Sequence, residues 1–338
     1  MEIDLSKLNG CHDLLFEIPL KVRQGYRFQP TGFPDLGAAE FETPEGRSLL
    51  VESAQSMANR LEAVCWDDRN NDLIEELRGL SYVKVTRNDG SKSFLTSSVL
   101  EAHRLNSPYI EKSSDGLHAT IKKEIGIERS GPLDRPQFLK TLLKYDVGSL
   151  LHGVFLESMD GRLRVARAIS TFIEADGVKV AASGGVKNDW VQPAKDEAGG
   201  RTASEGFGNL PFPRDEYTAE AITLYASIDL AQIRGYGLGD DATKMLILLA
   251  LFKLRAFIDS PMRLRTACTF ELKNGGVIES TNVSDFTLPT REALVGTKND
   301  DGEWSGELPP LIAKLAVGPN DEKDKTDKMR VTTVAFKG

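Results

Sequence analysis

Residues 23–62 read RQGYRFQPTGFPDLGAAEFETPEGRSLLVESAQSMANRLE. The first part is a loop rich in glycine and proline, two residues that direct the backbone into turns. A short apolar run at 49–51 is typical of a strand, and Ser53 follows it as the expected N-cap of a helix. Met57 and Leu61 share the apolar face of that helix. The stretch therefore predicts a strand-to-helix unit with a structured loop before it.

The polar side chains of this stretch suit an extended anionic ligand. Amide, hydroxyl and guanidinium groups that could bind such a ligand occur in the loop and in the first turns of the helix. They belong to Arg27, Gln29, Ser53, Gln55, Ser56, Asn59 and Arg60. A helix N-terminus adds free backbone N–H groups, which favour a phosphate. The alternative is a capped helix with a polar outer face, and the stretch by itself fits both interpretations.

Four strands and two helices form the core of the predicted fold. Apolar residues alternate, as in half-buried strands, at 14–23, 163–175, 222–233 and 262–273. The helix that begins after Ser53 follows the first strand, and a helix that is apolar nearly all round, at 241–259, follows the third. Residues 331–336 could return as a last strand.

Two long segments interrupt this core. Residues 67–146 have an irregular pattern with candidate helices at 97–104 and 137–144, which indicates an insertion that carries function or a subunit contact. Residues 176–220 are rich in glycine and also hold basic and aromatic side chains, which favours a projecting loop or a bent hairpin. The side chains of interest there are Lys187, Trp190, Arg201 and Phe207.

The order of these elements is strand, helix, insertion, strand, projecting loop, strand, helix, strand. This is the split βαβ order of ferredoxin-like domains and of the RNA-recognition fold. We therefore predict an α+β protein with a ferredoxin-like core at 1–66 and 147–338. The insertion at 67–146 and the projecting element at 176–220 extend from this core. Such a fold serves many functions, so the function must be argued from a site.

Composition and charge limit the classes of function. The 338 residues carry a net charge of −8, which argues against a protein that coats nucleic acid through bulk charge. A nucleic-acid site would need local placement of Lys and Arg. The three cysteines are widely spaced and the four histidines show no metal-ligand spacing, so we expect no metal and no cofactor. We expect a cytoplasmic protein, because we find no signal peptide and no bilayer-spanning apolar run.

Enzyme motifs fit the sequence poorly. The GYGLG at 235–239 resembles a dinucleotide loop, but the third glycine of that motif would fall at Asp240. Asp240 and Asp241 also place negative charge where a pyrophosphate would bind. Hydrolase motifs are absent, and Asp35 is the one acid in the loop beside the expected ligand path. We interpret Asp35 as a residue that structures its loop.

Basic residues near the strand ends favour a nucleic-acid binder. Arg23 and Arg27 follow the first strand, and Arg263 and Arg265 lie on one face of the fourth. A split βαβ sheet can bring the first and fourth strands together. The strands show no RNP-type aromatic signature, so contact with the phosphate backbone is favoured over base stacking on the sheet. This predicts binding with little sequence preference.

Several blocks of sequence, in order, also resemble one known family. Besides RFQPTGFPDLGAA and LVESAQSMANRLE, these blocks are LLHGVFLES, RVARAIS, IRGYGLGD and MRLRTACTFEL. The chain resembles the backbone subunit (the Cas7 type) of type I CRISPR surveillance complexes, in the type I-G variant. The last block of that family reads RTACDLE, whereas this chain has RTACTFE, with Thr269 in place of the acid.

The resemblance implies an RNA-recognition-like palm with fingers at 67–146 and a thumb at 176–220. It implies that copies stack as a helical filament along a guide RNA (crRNA), with other Cascade subunits, and display the guide to target DNA. It also implies that the subunit is not catalytic. Two alternatives stay open, a ribonuclease that uses Asp35 on bound target RNA and an unrelated enzyme on a ferredoxin-like core.

Overall fold

The computed structural model describes residues 3–33, 36–127, 131–186, 211–317 and 328–336. Its strands are β1 (Asp13–Val22), β2 (Gly32–Phe33), β3 (Gly37–Ala38), β4 (Glu40–Thr43), β5 (Gly46–Glu52), β6 (Trp66–Asp67), β7 (Asp72–Leu73), β8 (Tyr82–Arg87), β9 (Phe94–Ser97), β10 (Val154–Phe155), β11 (Arg164–Val165), β12 (Ile169–Asp176), β13 (Lys179–Val186), β14 (Pro211–Thr218), β15 (Ala221–Asp229), β16 (Met262–Arg265), β17 (Cys268–Leu272) and β18 (Val331–Phe336). Its α-helices are α1 (Ala54–Ala63), α2 (Pro108–Glu111), α3 (Leu117–Ile125), α4 (Arg135–Tyr145), α5 (Val147–His152), α6 (Leu230–Gly235), α7 (Asp240–Asp259), α8 (Arg291–Val295) and α9 (Leu308–Leu315).

Alternating apolar residues build a large antiparallel sheet, so the protein is of the predicted α+β class. The strand order is β16-β17-β1-β15-β12-β5-β4, and each neighbouring pair runs antiparallel. The first and fourth core strands predicted from the sequence, β1 and β17, are neighbours. The second and third, β12 and β15, are neighbours too, and β15 also pairs with β1. One face of these strands is buried, as Phe16, Ile173 and Leu224 illustrate.

Helices α1, α5, α6 and α7 contact the strands of this sheet. α1 contacts β12 and α7 and buries Met57 and Leu61. Ser53 caps α1 as predicted, because its side chain accepts a hydrogen bond from the backbone N–H of Ser56 at 3.3 Å. α7 lies between the sheet on one side and α6, α8 and α9 on the others. This enclosure explains why α7 is apolar nearly all round, with Leu249 and Phe252 fully buried.

The insertion at 67–146 contains a small sheet and several helices. β8 pairs with β9, and the C-terminal strand β18 joins β8 in parallel. The sequence pattern assigned residues 331–336 to the core, whereas β18 pairs with a strand of the insertion. α4 includes the helix predicted at 137–144.

The prediction of a helix at 97–104 is wrong. Ser98 continues the pairing of β9 with β8, because its backbone N–H donates to the carbonyl of Val83 at 2.8 Å. The Ser98 side chain accepts a hydrogen bond from the Val83 N–H at 3.0 Å. Only a short 3-10 turn follows, at Arg104–Asn106.

Three predicted strands have different limits in the structure. The second begins only at Ile169, because residues 164–165 form a separate hairpin with β10. The third ends at Asp229, whose side chain caps α6 by accepting a hydrogen bond from the Gln232 N–H at 2.6 Å. The fourth is a hairpin of β16 and β17, which turns at Ala267 with a φ of 56°.

An antiparallel hairpin of β13 and β14 stands where the sequence predicts a projecting loop or bent hairpin. It begins after Gly177, whose φ of 60° is unfavourable for residues other than glycine. The base of the hairpin is fixed to the rest of the molecule, because Phe28 and Tyr217 exchange two backbone hydrogen bonds of 2.9 Å. The hairpin therefore starts at the same end of the sheet as the loop that follows β1.

A cluster of buried charged and polar side chains joins the insertion to the helices under the sheet. Arg104 donates to the carboxylate of Glu62 at 3.0 and 2.5 Å, and both side chains are almost wholly buried. Nearby, Lys253 of α7 contacts the Nε2 atom of His152 at 2.9 Å. Burial raises the pKa of Glu62 to about 7, even though Arg104 acts in the opposite direction.

We expect Arg104→Met to lower the free energy of unfolding by about 3–5 kcal/mol, because it leaves the Glu62 carboxyl buried without its partner. The double variant Arg104→Met with Glu62→Met should recover most of this loss. Urea unfolding measures both effects, with the exposed Arg69→Met as the matched control. Equal stability of the single variant and the parent would contradict this role of the pair.

Candidate nucleic-acid interface

The loop after β1 is held by backbone hydrogen bonds to two other elements. The N–H of Arg23 donates to the carbonyl of Thr269 in β17, and the N–H of Gln29 donates to the carbonyl of Ala267, both at 2.9 Å. Phe28 is fully buried and packs edge-on against Phe270, with ring centroids 5.7 Å apart. The residues between these anchors therefore project from a fixed base.

An open groove of about 900 Å³ lies between this loop, the β16–β17 hairpin and the base of β14. We call it the arginine groove, and it is lined by Val22, Arg23, Gln24, Gly25, Tyr26, Arg27, Glu216, Pro261, Arg263, Ala267, Cys268 and Thr269. The structure thus brings together three of the arginines singled out in the sequence: Arg23, Arg27 and Arg263.

The arginines of this groove differ in their partners. Arg27 lies 3.5 Å from the carboxylate of Glu216, which is buried and also pairs with Arg214. Arg23 and Arg263 are exposed and form no ion pair with the described residues. The groove therefore keeps uncompensated positive charge on a chain that is acidic as a whole.

Arg60 and Arg265 use their guanidinium groups inside the protein. Both bind the carboxylate of Glu52, whose side chain is only 2% exposed. Arg60 also donates to the carbonyl of Leu264 at 2.6 Å. Arg265 donates to the carbonyl of Gln29 at 3.1 Å. These bonds hold the β16–β17 hairpin against the loop, so both residues support the groove from beneath.

The polar residues of α1 lie next to this support. Gln55 and Asn59 are exposed and stand four residues apart, on one side of the helix. Ser53 and Ser56 are joined by the capping hydrogen bond. The helix begins directly after Glu52, so its N-terminal turn adjoins the β16–β17 hairpin. None of these four side chains is among the described residues that line the arginine groove.

Five predicted residues lie outside the part of the chain that the structure describes. They are Asp35 of the Gly/Pro loop and Lys187, Trp190, Arg201 and Phe207 of the expected thumb.

Tyr26 is a groove residue that sequence reasoning missed. It is 87% exposed and stands between Arg23 and Arg27. The signal was present in RQGYR, because an aromatic residue between two arginines in a glycine turn suits both phosphates and a base or ribose. The φ of 77° at Gly25 shapes the turn that presents this ring.

The uncovered face of the sheet also carries an aromatic pair that the sequence pattern did not reveal. Phe172 of β12 and Tyr225 of β15 stack with ring centroids 5.1 Å apart. Glu17 is opposite Tyr225 in the neighbouring strand, and Glu174 lies two residues from Phe172. These acids make the face unfavourable for a phosphate backbone.

The chemistry of the arginine groove favours binding. Burial raises the pKa of the Cys268 thiol to about 12, so this lining residue is a neutral thiol near pH 7. Within the described ranges, no three His, Cys, Asp or Glu side chains are grouped to hold a metal ion. None of the described helices is long and apolar enough to cross a membrane.

Part of the chain matches a known protein family. Residues 14–180 match the model of a family described as CRISPR-associated protein GSU0053. These residues are similar to a family of CRISPR-associated proteins. The matched residues include the loop after β1, α1 and the blocks LLHGVFLES and RVARAIS, so the family resemblance seen in the sequence is confirmed.

Two solved structures are also similar to this chain. One is described as a CRISPR RNA-guided surveillance complex, pre-nicking; it shares 11% identity over 95% of this chain and 96% of that chain, with a TM-score of 0.39. The other is Csc2 from Thermofilum pendens, with 9% identity over 92% of this chain and 77% of that chain, and a TM-score of 0.30. The search of curated proteins found no match.

The two neighbouring arginines of the β16 strand should behave differently when replaced. Arg265→Met removes a charged donor from buried Glu52, and we expect the free energy of unfolding to fall by about 1.5–3 kcal/mol. Arg263→Met removes an exposed side chain, and we expect a change within about 0.5 kcal/mol. Urea unfolding of both variants makes the comparison. Equal losses would mean that Glu52 does not anchor the hairpin.

Proposed function

We propose that this protein binds guide RNA as a backbone subunit of a CRISPR surveillance complex. The observation that carries the proposal is the arginine groove, where Arg23 and Arg263 flank exposed Tyr26 on an otherwise acidic chain. Neither arginine has an ion-pair partner among the described residues. The match of residues 14–180 to a CRISPR-associated family supports an RNA ligand over other polyanions.

The groove suits the backbone of single-stranded RNA. Guanidinium groups form charge-assisted hydrogen bonds with phosphate oxygens, and an exposed tyrosine ring can stack on a base of any identity. Because these contacts read no base edge, they fix the register of the RNA without selecting its sequence. A subunit that must accept many different guides needs this property.

The support beneath the groove makes it preorganised. Glu52 fixes Arg265, and Arg265 fixes the carbonyl of Gln29 at the end of the loop. Little backbone entropy is then lost when RNA binds. Arg60 strengthens the same support from α1, so its contribution to binding is through position.

We further propose that the core is an RNA-recognition-like palm of the ferredoxin type. The order of the four core strands, β17-β1-β15-β12, supports this, since it places the fourth strand beside the first and the third beside the second. In this proposal residues 67–146 are the fingers and the β13–β14 hairpin is the base of the thumb. Copies then stack along crRNA with other Cascade subunits and present its bases to target DNA.

The proposed role is binding without catalysis. Among the described residues that line the arginine groove, Glu216 is the only carboxylate, and its oxygens face Arg27 and Arg214. A carboxylate held in this way is a poor general base. The alternative, a loop-aspartate ribonuclease, rests on Asp35. The variant Asp35→Asn tests it. If the parent protein cleaves bound RNA and this variant does not, the alternative is supported.

Salt dependence tests the groove directly. Removal of two phosphate contacts in Arg23→Gln with Arg263→Gln should reduce the slope of log K against log salt by about 1.4 on oligo-U. Fluorescence anisotropy with labelled oligo-U measures the slope. The matched control, Arg69→Gln with Arg87→Gln, removes two exposed arginines away from the groove and should keep the parent slope. An unchanged slope in the groove variant would contradict the proposed contacts.

Co-purification tests the role in the complex. We expect the protein, expressed with its neighbouring subunits and a guide array, to elute as a large particle that contains RNA of one length. The groove double variant should elute free of RNA, whereas the control variant should resemble the parent. A parent protein that stays monomeric and free of nucleic acid would overturn the proposed function.

A further inference from the structure

A second basic cavity lies at the opposite end of the central sheet from the arginine groove. The groove follows the last residue of β1, whereas this cavity adjoins the first residues of β12. Ile169 at the start of β12 pairs with Ile228, which in turn pairs with Leu14 at the start of β1. The cavity measures about 910 Å³ and opens between α4, α5 and the β10–β11 hairpin. We call it the basic cleft.

The cleft has more cationic groups than the protein neutralises. Arg135, Arg164 and Arg167 line it, and their guanidinium groups form no hydrogen bond or ion pair with the described residues. Two further lining arginines have partners, since Arg104 binds Glu62 and Arg162 binds Asp160. Glu157 is the only carboxylate among the described residues that line the cleft. An anion in the cleft would therefore gain favourable charge interactions.

The environment of Arg167 also favours an anion in the cleft. Partial burial and the nearby charge of Arg104 lower the pKa of the Arg167 guanidinium. The protein thus holds two cations close together, partly out of water, and Glu62 acts on Arg167 only as a weaker opposing charge. A phosphate placed between them would relieve this repulsion.

The cleft also contains a buried donor without a partner. Lys253 has only protons to offer, so the Nε2 atom of His152 accepts from it at 2.9 Å. Burial and Lys253 hold the pKa of His152 well below its usual range, so the neutral ring carries its proton on Nδ1. That Nδ1 atom is buried and has no hydrogen-bond partner in the described part of the chain. His152 is among the residues that line the cleft, so this unsatisfied donor lies beside it.

An aromatic ring stands at the mouth of the cleft. Phe155 of β10 is 45% exposed, which is unusual for a phenylalanine, and it pairs across the hairpin with Arg164. The turn into β10 is fixed by Gly153, because a Cβ atom there would lie 2.8 Å from the carbonyl oxygen of Val165. A ring and a guanidinium side by side are the pair of groups that bind a base and its phosphate.

We propose that the basic cleft is a second binding site for single-stranded nucleic acid. Arg164 and Arg167 contact phosphates there, and a base stacks on Phe155. An acidic protein segment would use the arginines, but it gains little from the exposed ring, so the cleft favours a nucleic acid. The strand can be a further part of the guide RNA or a DNA strand, and both offer the same chemistry.

Two variants test the cleft through separate contacts. Arg164→Gln with Arg167→Gln should reduce the slope of log K against log salt by about 1.4. Phe155→Ala should weaken binding by about tenfold without changing the slope. Fluorescence anisotropy with labelled oligo-U and oligo-dT measures both on the full chain. Arg69→Gln with Arg87→Gln again serves as the charge control, and urea unfolding confirms that each variant is folded.

The outcomes separate the sources of the strand. If the cleft variants lose affinity only for oligo-U, the cleft binds RNA. If they lose affinity only for oligo-dT, it binds DNA. Lower affinity for both supports a site that accepts either strand. Parent affinity and slope in both cleft variants would overturn the proposal. Equal competition by polyglutamate, with no effect of Phe155→Ala, would also overturn it, because the ligand would then be an acidic protein segment.

The test is independent of the guide-RNA role of the arginine groove. The groove variant Arg23→Gln with Arg263→Gln is measured beside the cleft variants. If the cleft variant loses affinity while the groove variant keeps it, the cleft stands and the proposed function fails. If only the groove variant loses affinity, the proposed function stands and the cleft proposal fails.

Discussion

The carboxylate of Glu52 lies at the end of β5, where it binds the guanidinium groups of Arg60 and Arg265. A buried carboxylate is costly unless it is paired, so these two arginines must stay where they are. Arg265 in turn binds the carbonyls of Gln29 and Val51. One ionic cluster thus joins α1, the β16–β17 hairpin and the loop that carries Tyr26. The arginine groove exists because these three elements cannot separate.

Local placement explains how a chain with a net charge of −8 can bind a polyanion. Arginines without an ion-pair partner among the described residues line both ends of the central sheet, in the arginine groove and in the basic cleft. Acids flank the aromatic pair on the uncovered face of the sheet. The acidic remainder lowers nonspecific binding elsewhere on the surface. A strand bound by this protein is therefore directed to the ends of the sheet and away from its middle.

The spacing of apolar residues and the turn-forming residues predicted the elements that depend on local sequence. The alternation of β1, the Ser53 cap and the apolar helix α7 were all readable, because burial and capping act within one segment. The hairpin turn at Ala267 could not be predicted, because no glycine marks it although Ala267 has a positive φ. The roles of Arg60 and Arg265 also could not be read, because their partner Glu52 meets them only in the folded chain. The position of Tyr26 between two arginines in RQGYR could have marked it as a ligand-binding residue from the sequence.

Ultraviolet cross-linking of the RNA-bound protein would test the central claim, that RNA lies in the arginine groove. The complex would be assembled on a guide containing 4-thiouridine, irradiated and digested with trypsin. The account predicts cross-links on the short peptide that contains Tyr26, between Arg23 and Arg27. Cross-links confined to Phe172 and Tyr225 on the uncovered face of the sheet, with none in the loop, would contradict it.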